Sequence, residues 1–195
     1  MISSIVLAAG RAENMGEQKL LLPLRGKPLL QWILESALAS DLHEIVCVVR
    51  DLSAVRRRIS LADERLYWII NNAADRGQST SVIGGLWAIH PKSDGALFLV
   101  GDQPMIQSKL IDSLVKRFKN SPALIVAPNF QGQARNPVLF RRDLFPELLH
   151  LTGDRCGQGL IKKYRQKTDL VEWNDDVSFK DLDVFEDYEK IKGVD

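Results

Sequence analysis

Three polar, glycine-containing segments of this sequence could bind a phosphorylated substrate. The first spans residues 7–19 and reads LAAGRAENMGEQK. Its small residues would let a ligand approach the backbone, its successive amides could surround phosphate oxygens, and Lys19 adds a positive charge. The alternative is an ordinary turn that follows a strand. Because the segment matches neither GxxxxGK[ST] nor GxGxxG, it does not indicate a P-loop or a dinucleotide fingerprint. The candidate nucleotide-binding residues here are Leu7, Ala8, Ala9, Gly10, Arg11 and Lys19.

The second segment is a short turn that contains Asp102. It follows a wholly apolar run, residues 96–100, and reads GDQP. A carboxylate at the end of a buried strand lies at the edge of a sheet rather than in the core. Since Mg²⁺ is commonly held by one or two carboxylates together with substrate phosphates, Asp102 is a candidate metal ligand. A turn aspartate that caps the next segment is the alternative.

The third segment, residues 72–81, reads NAADRGQSTS and precedes a predicted helix. Amide, hydroxyl and glycine groups at a helix start can bind an anion or a ribose, which makes Asn72, Gly77, Gln78 and Ser79 candidate nucleotide ligands. An ordinary N-cap by Ser79 is the alternative. The three histidines are interpreted as structural, because they are scattered along the chain. They are His43, His90 and His150.

The pattern of apolar residues predicts the elements that position these segments. Strands are expected at residues 2–9, 44–49, 66–70, 95–100, 123–127, 138–140 and 170–173, and helices at 28–39, 53–62, 79–90, 108–118, 143–149, 159–165 and 185–191. The pair Gly84-Gly85 weakens the helix at 79–90. Alternating strands and helices predict an α/β fold: a Rossmann-like, three-layer α/β/α arrangement around a mostly parallel sheet. In such a sheet the loops at the carboxyl ends of the strands form the binding crevice, so the three segments should converge there.

Composition restricts the class of protein. The 195 residues fit one domain, residues 1–195. A net charge of +1 predicts no general attraction to nucleic acid or to anionic membranes, and no apolar run is long enough for a membrane span or a signal peptide. Cys47 and Cys156 lack CxxC neighbours, so neither zinc nor a disulfide is indicated. A reducing cytoplasm is the expected location.

Taken together, these segments resemble the signature of the MobA-like nucleotidyltransferases, the nucleotide-diphospho-sugar transferase type of α/β fold. The opening block of that signature corresponds to LAAG at 7–10, Met15-Gly16, KLLLP at 19–23 and GKPL at 26–29, and GDQP at 101–104 corresponds to its metal-binding turn. Later blocks correspond to NPVLF at 136–140, LTGD at 151–154, and Asp181-Leu-Asp183 with Glu186-Asp187. The match runs in order from about residue 5 to 190. LAAG, rather than LAGG, is similar to the molybdenum cofactor cytidylyltransferase branch.

The resemblance implies a reaction and roles for residues. It implies transfer of CMP from CTP to the phosphate of the molybdopterin-type molybdenum cofactor, with Mg²⁺ as cofactor and pyrophosphate as product. By the same resemblance, Ala8, Ala9 and Gly10 bind the nucleotide through their backbone and Lys19 contacts its phosphates. Asp102 holds the metal, with Asp183 as second ligand. A molybdoenzyme or its chaperone would then receive the product.

The sequence departs from the family pattern at several positions. Asn14 stands in place of an arginine, Arg135 precedes Asn136-Pro137 in place of a glycine, and Cys156-Gly157-Gln158 replaces a Gly-Ala-Arg run. Val184-Phe185 replaces Thr-Pro. Two alternatives therefore stay open: a related transferase that uses GTP or another phosphorylated acceptor, such as a sugar or alditol phosphate, and a weakly active nucleotide-binding or cofactor-binding chaperone.

Overall fold

A computed structural model describes residues 1–10, 19–154, 157–175 and 177–179 of the chain. Its main element is an eight-stranded mixed sheet, and a two-stranded hairpin lies apart from it. The strands of the large sheet are β1 (Ile2–Ala8), β4 (Glu44–Val49), β5 (Leu66–Ile70), β6 (Gly95–Val100), β7 (Ile125–Phe130), β8 (Gln133–Ala134), β9 (Val138–Arg141) and β10 (Thr168–Glu172); β2 (Pro23–Leu24) and β3 (Lys27–Pro28) form the hairpin.

The strand order of the large sheet is β10-β7-β9-β6-β1-β4-β5, and β8 pairs with the end of β7. Strand β1 is parallel to both of its neighbours, β4 and β6. Among the described pairings of this sheet, only those of β9 and of the short β8 are antiparallel. The carboxyl ends of β1, β4, β5 and β6 therefore meet at one edge of the sheet, as the sequence pattern predicted.

Helices cover both faces of the sheet, which confirms the predicted three-layer arrangement. Helices α1 (Leu29–Leu38), α2 (Leu52–Arg58) and α4 (Ser108–Lys119) pack on one face, and their apolar side chains form one core cluster with β1, β4 and β6. Helices α3 (Ser79–Ala88), α5 (Phe145–Leu148) and α6 (Gln158–Lys163) contribute to a second cluster on the opposite face. Cys47 lies in the first cluster, where burial raises the pKa of its thiol and leaves it unreactive.

The Gly84-Gly85 pair has a packing reason. A Cβ atom on Gly85 would lie 2.3 Å from Cγ2 of Ile5, so only glycine lets α3 lie this close to β1. Gly84 has more room, since its Cβ would lie 3.7 Å from Cδ1 of Ile69. The loss of helix propensity at Gly85 is thus offset by close helix–sheet packing.

Some element bounds differ from those predicted. Helix α2 begins earlier than residue 53, because the side chain of Asp51 caps it by accepting from the Ala54 amide at 3.0 Å. Strand β7 continues to Phe130 because β8 pairs with its end, a partner that local periodicity does not reveal. The predicted helix at 185–191 lies outside the described residues. Among the described helices, none combines the length and the apolar composition that a bilayer crossing requires.

Candidate functional site

The first and second predicted segments meet where β1 and β6 end. Leu7 is paired in register with Val100, and the amide of Gly101 donates to the carbonyl oxygen of Leu7 at 3.0 Å. A Cβ on Gly101 would lie 3.0 Å from Leu20 and 3.3 Å from that carbonyl oxygen. Glycine at position 101 therefore lets the turn that carries Asp102 lie directly against the end of β1.

Lys19 and Asp102 form the charged centre of this edge. Lys19 begins a 3-10 turn, Lys19–Leu21, and its Nζ lies 3.4 Å from Oδ2 of Asp102. The lysine side chain is 13% exposed and the aspartate side chain 31% exposed. The contact is long for a charge-assisted hydrogen bond, and the carboxylate remains partly open to solvent. An ammonium and an accessible carboxylate side by side can hold a phosphate and its counter-cation together.

The backbone next to this pair is also accessible. Leu7 and Ala9 are buried and Ala8 is partly buried, whereas Gly10 is exposed. Apart from Gly10 itself and its chain neighbours, no described residue has an atom within 4 Å of the position that a Cβ on Gly10 would occupy. The chain just beyond β1 is thus exposed and has room at Gly10 among the described residues, which suits the predicted backbone contacts to a nucleotide.

The third predicted segment lies at the same edge, but its amides are engaged within the protein. The amide of Ser79 donates to the carbonyl oxygen of Gly153 at 2.9 Å, and that of Gln78 donates to Oδ1 of Asp154 at 3.3 Å. Asn72 is exposed, and Gly77 adopts a φ of 108°. The predicted nucleotide contacts of these four residues stay predictions, and an anion at the two amides would have to replace Gly153 and Asp154.

The alternative interpretation of this segment, a cap by the Ser79 side chain, is wrong. Gln78 is the N-cap residue of α3, and no side chain makes the capping hydrogen bond. The buried Asn71 organises the turn instead: its Nδ2 donates to Oγ1 of Thr80 at 2.8 Å and to Oγ of Ser81 at 2.9 Å. The helix start is therefore satisfied by a distant loop, and Ser79 itself is buried.

One residue at this edge, Arg50, was not among those predicted from the sequence. It follows β4 directly, its Nη1 lies 2.8 Å from Oδ1 of Asp75, and its Nη2 lies 3.5 Å from the carbonyl oxygen of Ala9. The signal that would have found it is its position, because it is the first residue after a buried strand that lies next to β1. Arg50 links the first and third segments across the end of β4.

The metal prediction depends on Asp102 alone within the described residues. Arg11 and Asp183, predicted as nucleotide ligand and second metal ligand, lie outside that part of the chain, as do Asn14 and Cys156. In the described part, no group of three or more His, Cys, Asp or Glu side chains could hold a metal ion. One accessible carboxylate fits Mg²⁺ when substrate phosphates and waters complete the coordination, which is the usual arrangement for this ion.

The described departures from the family pattern lie in the second half of the chain. Arg135 is exposed, and its amide donates to the carbonyl oxygen of Pro128 at 3.0 Å, next to the cis peptide bond between Asn136 and Pro137. Gln158 is exposed at the first position of α6. Neither residue takes part in the contact between Lys19 and Asp102.

Comparison with known proteins identifies relatives that match the chain over most of its length. The purine catabolism protein PucB of Bacillus subtilis is 28% identical over 96% of this chain and 94% of its own length. A probable molybdenum cofactor guanylyltransferase of Thermococcus sibiricus is 24% identical over 97% of both chains. The crystal structure of Rv0371C from Mycobacterium tuberculosis in complex with manganese has a TM-score of 0.82 and 25% identity, over 99% of each chain. The model of the MobA-like NTP transferase domain matches residues 4–168, and the chain therefore belongs to the MobA-like nucleotidyltransferase family.

Proposed function

We propose that this protein is a magnesium-dependent cytidylyltransferase that transfers CMP from CTP to the molybdopterin-type molybdenum cofactor. The observation that carries the proposal is the pairing of Lys19 with the partly open Asp102, beside the accessible Gly10. This set provides a cation for phosphate, an anion for the metal and an unobstructed backbone for the nucleotide. All three are features that nucleotidyl transfer requires.

The proposed reaction is a displacement at the α-phosphorus of CTP. An oxygen of the acceptor phosphate forms a new bond to that phosphorus, the bond to the β-phosphate oxygen breaks, and pyrophosphate leaves with its electron pair. Because the acceptor is already an anionic phosphate, no strong general base is needed. Lys19 would donate to the triphosphate as charge develops, and Asp102 would hold Mg²⁺, which neutralises phosphate charge when bound.

The relatives support parts of this proposal. One relative is named a probable molybdenum cofactor guanylyltransferase, which supports the acceptor, and the structure of another was solved with manganese, which supports a divalent cation. The preference for CTP depends on Ala9. Its methyl group stands where LAGG has its first glycine and leaves less room for a purine, and a crowded pocket discriminates by about 10- to 200-fold in kcat/KM.

Pyrophosphate release with a panel of nucleotides and acceptors tests the proposal. CTP, GTP, ATP and UTP are each combined with the molybdenum cofactor, a sugar phosphate and an alditol phosphate, with Mg²⁺, Mn²⁺ or EDTA. We expect turnover of CTP with the molybdenum cofactor, and its loss in EDTA. GTP with an equal or higher kcat/KM would refute the nucleotide preference.

A changed acceptor is a second candidate, favoured by the exposed Gln158. Glutamine at this position lacks the charge and the bidentate geometry that an arginine would offer a phosphate. If the acceptor is a different phosphate ester, the sugar or alditol phosphate should give the faster pyrophosphate release. Gln158→Arg should then raise turnover with the molybdenum cofactor. A protein that only binds nucleotide would show a CTP-dependent rise in Tm without any pyrophosphate release.

A further inference from the structure

Arg50 connects two loops of the crevice without being part of the Lys19–Asp102 pair. In strand order it lies between β1 and β5, on the side of β1 opposite β6 and Asp102. Its two terminal nitrogens have separate partners, the Asp75 carboxylate at 2.8 Å and the Ala9 carbonyl oxygen at 3.5 Å. The guanidinium is planar and rigid, so two partners fix its orientation in a way that a single contact would not.

The partner of Nη2 is the carbonyl oxygen of the peptide that joins Ala9 to Gly10. A trans peptide is planar, and its carbonyl oxygen and amide hydrogen point in opposite directions. Holding the Ala9 oxygen toward Arg50 therefore turns the Gly10 N–H away from Arg50, to the side of β1 where Asp102 lies. Glycine accepts many backbone conformations, and nothing described fills the space beside Gly10, so this peptide needs an external restraint.

Arg50 also has hydrogen-bonding capacity that its two partners do not use. Its Nε is buried and has no hydrogen-bond partner among the described residues. The whole side chain is nevertheless 36% exposed, so it is anchored at its ends rather than enclosed. An exposed ion pair such as Arg50–Asp75 contributes little to folding stability. We therefore relate the geometry of Arg50 to its position at the crevice.

We infer that Arg50 is a positioning residue: anchored by Asp75, it orients the Ala9–Gly10 peptide so that the Gly10 amide donates to the bound nucleoside triphosphate. The inference deepens the proposed function and rests on it. The sequence of contacts runs from Asp75 through Arg50 and Ala9 to Gly10. Removing the Arg50 contacts weakens nucleotide binding and leaves the chemistry at Lys19 and Asp102 in place.

The test compares Arg50→Gln, Arg50→Lys and Asp75→Asn with wild type in the pyrophosphate assay. We expect Arg50→Gln to raise the KM for CTP about 10-fold, the size of one charge-assisted hydrogen bond, with kcat changed less than about threefold. Asp75→Asn should raise KM by a smaller factor, and the double variant Arg50→Gln/Asp75→Asn should be no worse than Arg50→Gln alone. The Tm without ligand should fall by no more than about 2–4 °C.

Arg65 supplies the matched control. It too holds backbone carbonyl oxygens, those of Leu38 at 2.6 Å and Leu42 at 3.3 Å, but it precedes β5 and lies at the opposite edge of the sheet. Arg65→Gln should lower the Tm and leave the KM for CTP unchanged.

Three results would overturn the inference. If wild type is active and Arg50→Gln leaves the KM for CTP unchanged, the positioning role is wrong and the proposed function is unaffected. Full activity in Arg50→Lys contradicts the positioning role as well, because lysine keeps the charge but cannot hold both partners. Absence of nucleotide turnover and of any CTP-dependent Tm shift in wild type contradicts the proposed function and, with it, this inference.

Discussion

The two edges of the central sheet use polar residues in opposite ways. At the amino edge, the buried Glu44 accepts from the Ser3 hydroxyl and from the His90 amide, both at 2.5 Å. Arg65 at the same edge donates to three backbone carbonyl oxygens and to Asp63. Glu44 is buried against its partners, and Arg65, although its side chain is 32% exposed, has several protein acceptors at once, so these groups satisfy one another and contribute to stability.

At the carboxyl edge the contact between Lys19 and Asp102 is longer than the contacts of Glu44, and Asp102 is more exposed than Glu44. Lys19 and Asp102 are 3.4 Å apart, Arg50 reaches Ala9 at 3.5 Å, and Gly10 faces free space among the described residues. Such groups retain hydrogen-bonding capacity that a ligand can use. The comparison teaches that, in this fold, a buried carboxylate with two short contacts, Glu44, serves the structure, whereas a partly open carboxylate with a long contact, Asp102, is available to a ligand.

The largest expected effect is that of Asp102→Ala. If the carboxyl edge is functional and contributes little to stability, this variant should abolish pyrophosphate release, because the proposed metal loses its protein ligand. Its far-UV circular dichroism and Tm should stay close to those of wild type. Near-normal turnover would mean that Asp102 is only a turn residue.

Lys19→Ala should reduce turnover by roughly 10²–10³-fold, the effect of removing one preorganised donor to developing charge. Lys119 is a suitable control, since its Nζ pairs with Asp41 at 2.7 Å on the exposed surface, away from the crevice. Lys119→Ala should leave kcat/KM unchanged. If Lys19→Ala lowers turnover less than threefold, Lys19 is only a solvated surface charge and does not stabilise the triphosphate.

Glu44→Ala tests the amino edge, where we expect a loss of stability without a loss of activity. It leaves the Ser3 hydroxyl and the His90 amide without their buried acceptor, which should lower the free energy of unfolding by about 1–3 kcal/mol and the Tm by about 2–12 °C. Thermal unfolding measures this change. The KM and kcat of the variant, measured well below its Tm, should match wild type, and a specific loss of activity would break the division between the two edges.

The smallest effect is expected at Gly84, which is compared with its neighbour Gly85 in α3, the helix that runs from the carboxyl edge to the amino edge. Gly85→Ala overlaps Ile5 and should lower the free energy of unfolding by about 1–3 kcal/mol through overpacking. Gly84→Ala has room beside Ile69 and should raise it by up to about 1 kcal/mol through helix propensity. Urea unfolding measures both, and equal effects would argue against close packing at Gly85.

The sequence pattern predicted the elements that consist of continuous apolar runs. Strands β4, β5 and β6 have the predicted bounds because both of their ends coincide with a change to polar residues or glycine. The position of Asp102 followed from the same reasoning. Arg50 did not, because its partners Ala9 and Asp75 are 41 and 25 residues away. The start of α3 was misinterpreted for a similar reason: its acceptors come from residues 153 and 154, and local capping patterns contain no information on so distant a loop.

The contact between Gly77 and Gly153 restricts how this crevice can be re-engineered. A Cβ on Gly77 would lie 2.5 Å from the backbone carbonyl carbon of Gly153, and Gly77 also has a positive φ. Because the atoms that the Cβ would meet belong to the backbone, and residue 153 is already glycine, no substitution at position 153 can relieve this overlap. Directed-evolution libraries that vary residues 151–154 to accept a new substrate should therefore keep glycine at 77, and any productive change at 153 must preserve the path of its backbone. Substitutions in the loop that contains Gly77 and in the loop that contains Gly153 therefore have to be chosen together.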